Sequence, residues 1–177
     1  MGPVPGNTLI LVLGGASSGK SAYAENLLLG MARRPSYIAT AQAFDAEMAD
    51  KIARHRAARG PGWNTIEAPT DLAGAMAAAE GADGILIDCA TLWLSNLMLA
   101  EARIEEEEAR AFAALDRRVC PVVVVSNEVG QGVVPDTSMG RRFRNIQGGF
   151  NQRMAQRADR VVAVMAGLPL ALKGDLP

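Results

Sequence analysis

Six short stretches of the chain are almost continuously apolar: LILVLGG, SYIATA, WNTIEA, GILIDCA, PVVVVSNEV and RVVAVMAG. They lack the period-two alternation of a strand with one wet face, so they predict strands covered on both sides in a parallel sheet. Thr65 and Glu67 make NTIEA the most polar of the six, which suits a sheet edge. Helix formers fill the intervals from Lys20 to about Arg33, Asp45 to Arg59, Asp71 to Glu80, Leu92 to Arg118 and about Met139 to Ala158. Glycine and proline punctuate the junctions, as in RGPGW at 59–63 and at Pro135. Strands alternating with longer helices predict a three-layer α/β fold. No repeat of fixed period or low-complexity linker interrupts the pattern, and 177 residues suit one domain over 1–177.

Hydrophobic residues make up 49% of the chain but aromatics only 5%, so the core must be built chiefly from Ala, Val, Leu, Ile and Met. The formal net charge of −1 supplies no field for a polyanion, so no nucleic-acid partner is expected. No apolar run approaches the roughly 20 residues of a membrane span, and MGPVPGNT lacks the basic and apolar parts of a signal peptide. A cytoplasmic protein without membrane insertion is the expectation. Cys89 and Cys120 form no ligand cluster and lie in or beside apolar runs, as reduced, buried thiols do. With a single histidine, His55, the chain offers no zinc-binding set.

The chemistry begins at the end of the first apolar run. Gly14, Gly15, Ala16, Ser17, Ser18, Gly19, Lys20 and Ser21 satisfy G-x-x-x-x-G-K-[ST] between a predicted strand and a predicted helix, the setting of a P-loop. Glycines let consecutive backbone N–H groups converge on a phosphate chain, and the helix N-terminus adds its partial positive charge. Lys20 would reach the outer phosphates and Ser21 would offer its hydroxyl to Mg²⁺. Asp88, near the carboxyl end of GILIDCA, is the matching acidic residue for that metal; the alternative is an Asp capping the helix that begins near Thr91. Together these features point to a three-layer P-loop NTPase (RecA-like) α/β fold with a mostly parallel central sheet.

His55 admits two readings. Phe44, Met48, Ile52 and His55 form one stripe of a helix, where a histidine is ordinarily a packed core residue. Arg54, Arg56 and Arg59 crowd guanidinium groups around it, which suits a bound phosphate instead and would hold the imidazole neutral and nucleophilic. Asn127 and Glu128, in SNEVGQGVVP, would line the same sheet edge as the P-loop. The run EEEE at 105–108 reads as a solvated helix face. Arg141, Arg142, Arg144, Arg153 and Arg157 read either as an exposed helix or as a phosphate or subunit contact.

GGASSGKS, YIATAQAFDAEMADKIARHRAARGPGW, IEAP, NEVGQGVVP and RRFRNIQGGFNQRMAQRADRV together resemble, over nearly the whole chain, the bifunctional adenosylcobinamide kinase/adenosylcobinamide-phosphate guanylyltransferase family. The resemblance implies phosphoryl transfer from ATP or GTP to the aminopropanol hydroxyl of adenosylcobinamide. It also implies transfer of GMP from GTP to adenosylcobinamide phosphate through a guanylylated histidine, which matches His55. By the same motifs Ala39, Thr40, Ala41, Arg56, Ala57, Ala58 and Arg59 would contact the guanine nucleotide, with Glu67 and Asp88 as further contacts, Mg²⁺ at Ser21 and Asp88, and a homotrimer as the assembly. Two positions depart from the family pattern: Ser17 stands where many members carry Arg, and Asp88 where many carry Glu. Two rival readings remain at this point: a small-molecule P-loop kinase with a structural histidine, and a nucleotide-binding regulatory module with slow hydrolysis.

Overall fold

The computed structural model describes residues 6–43, 50, 53, 57, 60 and 62–176. Seven strands form one sheet: β1 (Leu9–Gly14), β2 (Pro35–Ala39), β3 (Asn64–Glu67), β4 (Gly84–Asp88), β5 (Val122–Asn127), β6 (Arg160–Met165) and β7 (Leu168–Lys173), in the order β3-β2-β4-β5-β1-β6-β7. All pairings are parallel except β6 with β7. The six apolar stretches are the six parallel strands, and NTIEA lies at an edge as its polarity predicts. Among the described residues five continuous helices accompany the sheet: α1 (Lys20–Leu29), α2 (Leu72–Ala78), α3 (Ala90–Leu99), α4 (Ile104–Asp116) and α5 (Ser138–Arg157). Asp50, Ala53 and Ala57 are also helical. The predicted stripe of Phe44, Met48, Ile52 and His55 falls outside the described residues.

Because the central strands are apolar on both faces, each face needs its own cover. On one, Ile10, Val12, Tyr37, Leu86, Val123, Val125 and Val162 pack with Ala24 and Leu28 of α1. On the other, Leu9, Leu11, Ile38, Ile87 and Val124 pack with Trp93, Phe112, Phe150 and Met154 from α3, α4 and α5. Trp93 is fully buried, and its indole N–H donates to the Thr70 carbonyl at 2.7 Å, so the largest core side chain leaves no polar atom stranded. Fully burying a Leu or Ile side chain stabilises by about 1.5–3 kcal/mol, so these two clusters hold the layers together.

Two expectations are corrected, and one element is added. The segment from Leu92 to Arg118 is two helices rather than one, because Glu101 takes a left-handed conformation (φ 52°). The Ala102 N–H then donates to the Leu97 carbonyl at 3.0 Å and the Glu101 N–H to Met98 at 3.2 Å, the bond pair of a Schellman stop. The acidic run is not uniformly solvated: Glu108 is buried and pairs with Arg153 of α5, its Oε2 accepting from Nη2 at 2.8 Å. Finally, an antiparallel strand, β7, follows β6 through a two-residue turn in which Ala166 (φ 51°) and Gly167 (φ 78°) both have positive φ, the backbone of a tight hairpin. At its far end Lys173 Nζ donates to the carbonyls of Ala155, Gln156 and Ala158, capping the C-terminus of α5 with a cation.

Candidate functional site

Parallel pairing brings strand ends that are remote in sequence to one edge. Ala39 lies opposite both Glu67 and Asp88, and Gly14 lies opposite Asn127. Open α/β sheets gather ligands at this carboxyl edge, and here the P-loop spans it.

Gly14 ends β1 in a space with no room for a side chain: a Cβ there would meet the Ser18 Oγ at 2.4 Å and the Val164 carbonyl oxygen at 2.7 Å. Gly15, Ala16 and Ser17 then arch outward, exposed. Ser17 (φ 55°) and Gly19 (φ 91°) are left-handed, so the loop turns twice within three residues. Gly19 caps α1 without any side-chain hydrogen bond to the first turn. The N-terminal N–H groups of the helix therefore meet the loop without a capping side chain, which is what an anion requires. Lys20 folds back over the arch, its Nζ donating to the Gly15 carbonyl at 3.1 Å, and Ser21 follows it, half-buried. The turn of the β6–β7 hairpin braces the loop, the Gly167 N–H donating to the Ser18 carbonyl at 2.8 Å.

Asp88 ends β4 at the same edge of the sheet. It follows Leu86 on the sheet face that α1 covers, and the Tyr37 hydroxyl donates to its Oδ2 at 2.8 Å. It does not cap α3: the cap is Cys89, with no side-chain bond to the helix. The thiol of Cys89 is pushed up to about 11, first by burial, then by the Asp88 carboxylate, with the Lys20 ammonium partly opposing. Asp88 and Val12 both lie opposite Val125, so the carboxylate ends β4 two strands from the base of the P-loop. The oxygen donors here, a serine hydroxyl and a carboxylate, fit Mg²⁺ in kind. Among the described residues no group of three or more His, Cys, Asp or Glu gathers, so a magnesium ion held by Ser21 and Asp88 would draw its other ligands from nucleotide oxygens and water.

Thr40 is fully buried, and its hydroxyl is already engaged, donating to the Cys89 carbonyl and accepting from the Cys89 N–H, both at 2.8 Å. Its carbonyl accepts from Asn96 Nδ2 at 2.8 Å. Thr40 therefore locks the end of β2 to the β4–α3 corner, while Ala39 and Ala41 flank it half-buried. Glu67 is exposed at the end of β3. Ala57 is helical and exposed; His55, Arg56, Ala58 and Arg59 fall outside the described residues.

Asn127 is held on both sides, its N–H donating to Thr91 Oγ1 at 2.7 Å and its carbonyl accepting from Asn151 Nδ2 at 3.0 Å. Glu128 follows, its N–H donating to the Gly14 carbonyl at 3.1 Å and its carboxylate accepting from the Gly130 N–H. The basic helix is spent largely on internal contacts. Arg144 donates to the Gly130 carbonyl, and Arg141 to those of Pro135 and Asp136 at 3.0 and 2.7 Å. Arg153 pairs with Glu108, and the Arg157 guanidinium lies 4.2 Å from the Phe112 ring centroid. Sequence reasoning missed Tyr37, although a phenol in an otherwise apolar buried strand signals a hydroxyl that needs a partner.

In fold, the chain is similar to a prototypical ATPase from the type III secretion system of pathogenic bacteria, with TM-score 0.57 at 11% identity, over 94% of this chain and 57% of that one. It is likewise similar to the RadB recombinase, with TM-score 0.52 at 15% identity, over 89% and 74%. Sequence goes further. The bifunctional adenosylcobalamin biosynthesis protein CobP of Pseudomonas aeruginosa is 44% identical over 93% of this chain and 97% of its own length. The proteins of the same description named CobU from Salmonella typhimurium and Escherichia coli are 39% and 36% identical, each over 93% of this chain and 99% of their own length. The sequence pattern of the family described as cobinamide kinase / cobinamide phosphate guanyltransferase matches residues 10–172, and the chain belongs to that family.

Proposed function

We propose that the chain phosphorylates adenosylcobinamide with ATP or GTP and then passes GMP from GTP, through a guanylylated His55, to adenosylcobinamide phosphate, yielding adenosylcobinamide-GDP. The observation that carries this reading is a P-loop helix whose Gly19 cap brings no side chain to its N–H groups, with Lys20 folded onto Gly15 and Asp88 at the end of β4, in a chain of this family that has a single histidine.

In the first reaction the loop N–H groups and Lys20 hold the outer phosphates while the aminopropanol hydroxyl oxygen attacks the γ-phosphorus. That P–O bond forms, the bond to the β–γ bridging oxygen breaks, and the hydroxyl proton is released. In the second, a ring nitrogen of His55 attacks the α-phosphorus of GTP; an N–P bond forms, the α–β bridging bond breaks and pyrophosphate departs. A terminal oxygen of adenosylcobinamide phosphate then attacks the same phosphorus and the N–P bond breaks, returning the imidazole. Splitting the exchange in this way replaces one difficult step with two easier ones. Arg54, Arg56 and Arg59, neighbours of His55 in sequence, would stabilise the charge on the phosphoryl oxygens. Magnesium, held by Ser21 and Asp88, would neutralise phosphate charge. The reading also carries a homotrimer acting in the cytoplasm, with Ala39, Ala41 and Glu67 beside the guanine nucleotide.

Two variants test it. His55→Ala should reduce guanylyl transfer below detection while phosphorylation of adenosylcobinamide stays within about threefold, since that step makes no bond to the imidazole. Lys20→Ala should depress both reactions by about 10²–10³-fold, as the loss of one charge-stabilising donor does. Guanylyl transfer that survives His55→Ala would refute the covalent route, and a Lys20→Ala enzyme with one normal activity would refute a shared triphosphate site.

A further inference from the structure

We infer that Tyr37 is a positioning residue for the nucleotide's metal: its phenol, held in place by Trp63, fixes one oxygen of Asp88 so that the other is presented to the cation. The inference rests on the reading of Asp88 as the metal-facing carboxylate.

Parallel register sets Tyr37 opposite Leu86 and Ala39 opposite Asp88, so Tyr37 lies two residues behind the strand end on the same face as Asp88. Two residues of strand span about 6.6 Å. Only a long side chain lying along the strand brings a donor over that distance, and the tyrosine ring does so, with O–H to Oδ2 at 2.8 Å. Tyr37 is 4% exposed, which removes water as a competing partner for the hydroxyl. Its ring cannot swing away freely, because Trp63 meets it edge to face, with centroids 5.6 Å apart and planes at 89°. The strand that follows Trp63 is itself tied to β2, Asn64 Nδ2 donating to Ser36 Oγ at 3.2 Å. The Asp88 main chain is fixed as well, its carbonyl accepting from the Thr40 N–H at 3.2 Å. With backbone and Oδ2 both held, the carboxylate is fixed in one orientation. A partner that orients a ligating group in this manner tunes metal affinity without touching the metal.

The test titrates Mn²⁺ into protein saturated with α,β-methylene GTP and follows free Mn²⁺ by its paramagnetic resonance signal. Tyr37→Phe, which keeps the ring against Trp63, should weaken Mn²⁺ binding about tenfold while leaving metal-free nucleotide affinity unchanged. Asp88→Asn should weaken Mn²⁺ binding at least as much, and Tyr37→Phe should add nothing in the Asp88→Asn background. Unchanged Mn²⁺ affinity in Tyr37→Phe, with a clear loss in Asp88→Asn, overturns the positioning role and leaves the role of Asp88 standing. No loss in Asp88→Asn overturns both. If Tyr37→Phe does not fold, Trp63→Leu reads the same contact: weakening of about threefold or more supports the inference and no change overturns it.

Discussion

Cys89 shows how closely charge is arranged around the P-loop. Burial and the neighbouring Asp88 carboxylate push its thiol up to about 11, against partial opposition from the Leu92 backbone and Lys20, so it stays protonated at neutral pH. An unfolded cysteine titrates near 8.5. The folded state therefore holds this proton more tightly, and the resulting stability is complete below about pH 8.5 and is lost as pH rises toward 11. The unfolding free energy, from denaturant melts, should fall across that window by up to about 3 kcal/mol. Tyr23, also raised by burial, contributes in the same direction at higher pH, so the comparison is with Cys89→Ala, in which the cysteine's share of the slope should vanish. Equal slopes in the two proteins would contradict this assignment. At this scale the P-loop, Asp88 and the buried thiols were legible in the sequence, because each is a short motif or a lone polar group in an apolar run. The work of Thr40 was not, since its hydroxyl binds the backbone of Cys89, 49 positions away.

Between elements, the α4–α5 contact carries one buried carboxylate beside the stacked rings of Phe112 and Phe150. Glu108 is 7% exposed and Arg153 grips it from the neighbouring helix, which raises the guanidinium pKa chiefly through their hydrogen bond. Two residues earlier, Glu106 pairs with Arg103 in the open, with 62% and 81% of their side chains exposed. Glu108→Ala should cost about 1–3 kcal/mol, toward the lower end because half-exposed Arg153 can turn to water. Glu106→Ala should stay within about 0.5 kcal/mol. Thermal or urea melts of the two variants check the contrast, and equal losses would contradict it. The sequence marked these acidic residues as one solvated run because helical spacing distinguishes faces only when the neighbouring helix is known. It likewise merged α3 with α4, since the stop at Glu101 uses a left-handed glutamate where a glycine would have signalled it. Strand β7 escaped notice for a similar reason: Ala166 occupies a positive-φ turn position that Asn or Asp ordinarily announces, and Pro169 weakens the strand signal.

For the molecule as a whole, five parallel strand ends deliver Gly14, Ala39, Glu67, Asp88 and Asn127 to one edge from positions more than a hundred residues apart. That convergence is what the alternating sequence pattern promised, and parallel register makes it unavoidable once the strand order is set. Among the described residues no helix is long and apolar enough to cross a membrane. The turn of the β6–β7 hairpin hydrogen-bonds the P-loop, so the antiparallel edge that the sequence hid contributes directly to holding that loop. The covalent route through His55 stands or falls with its adduct. The protein is incubated with Mg²⁺ and GTP labelled at the α-phosphate, denatured and digested. Acid-labile, base-stable label should appear on the peptide bearing His55 and be discharged when adenosylcobinamide phosphate is added before denaturation. A folded protein that phosphorylates adenosylcobinamide yet acquires no such label would contradict that route and leave a small-molecule kinase with a structural histidine.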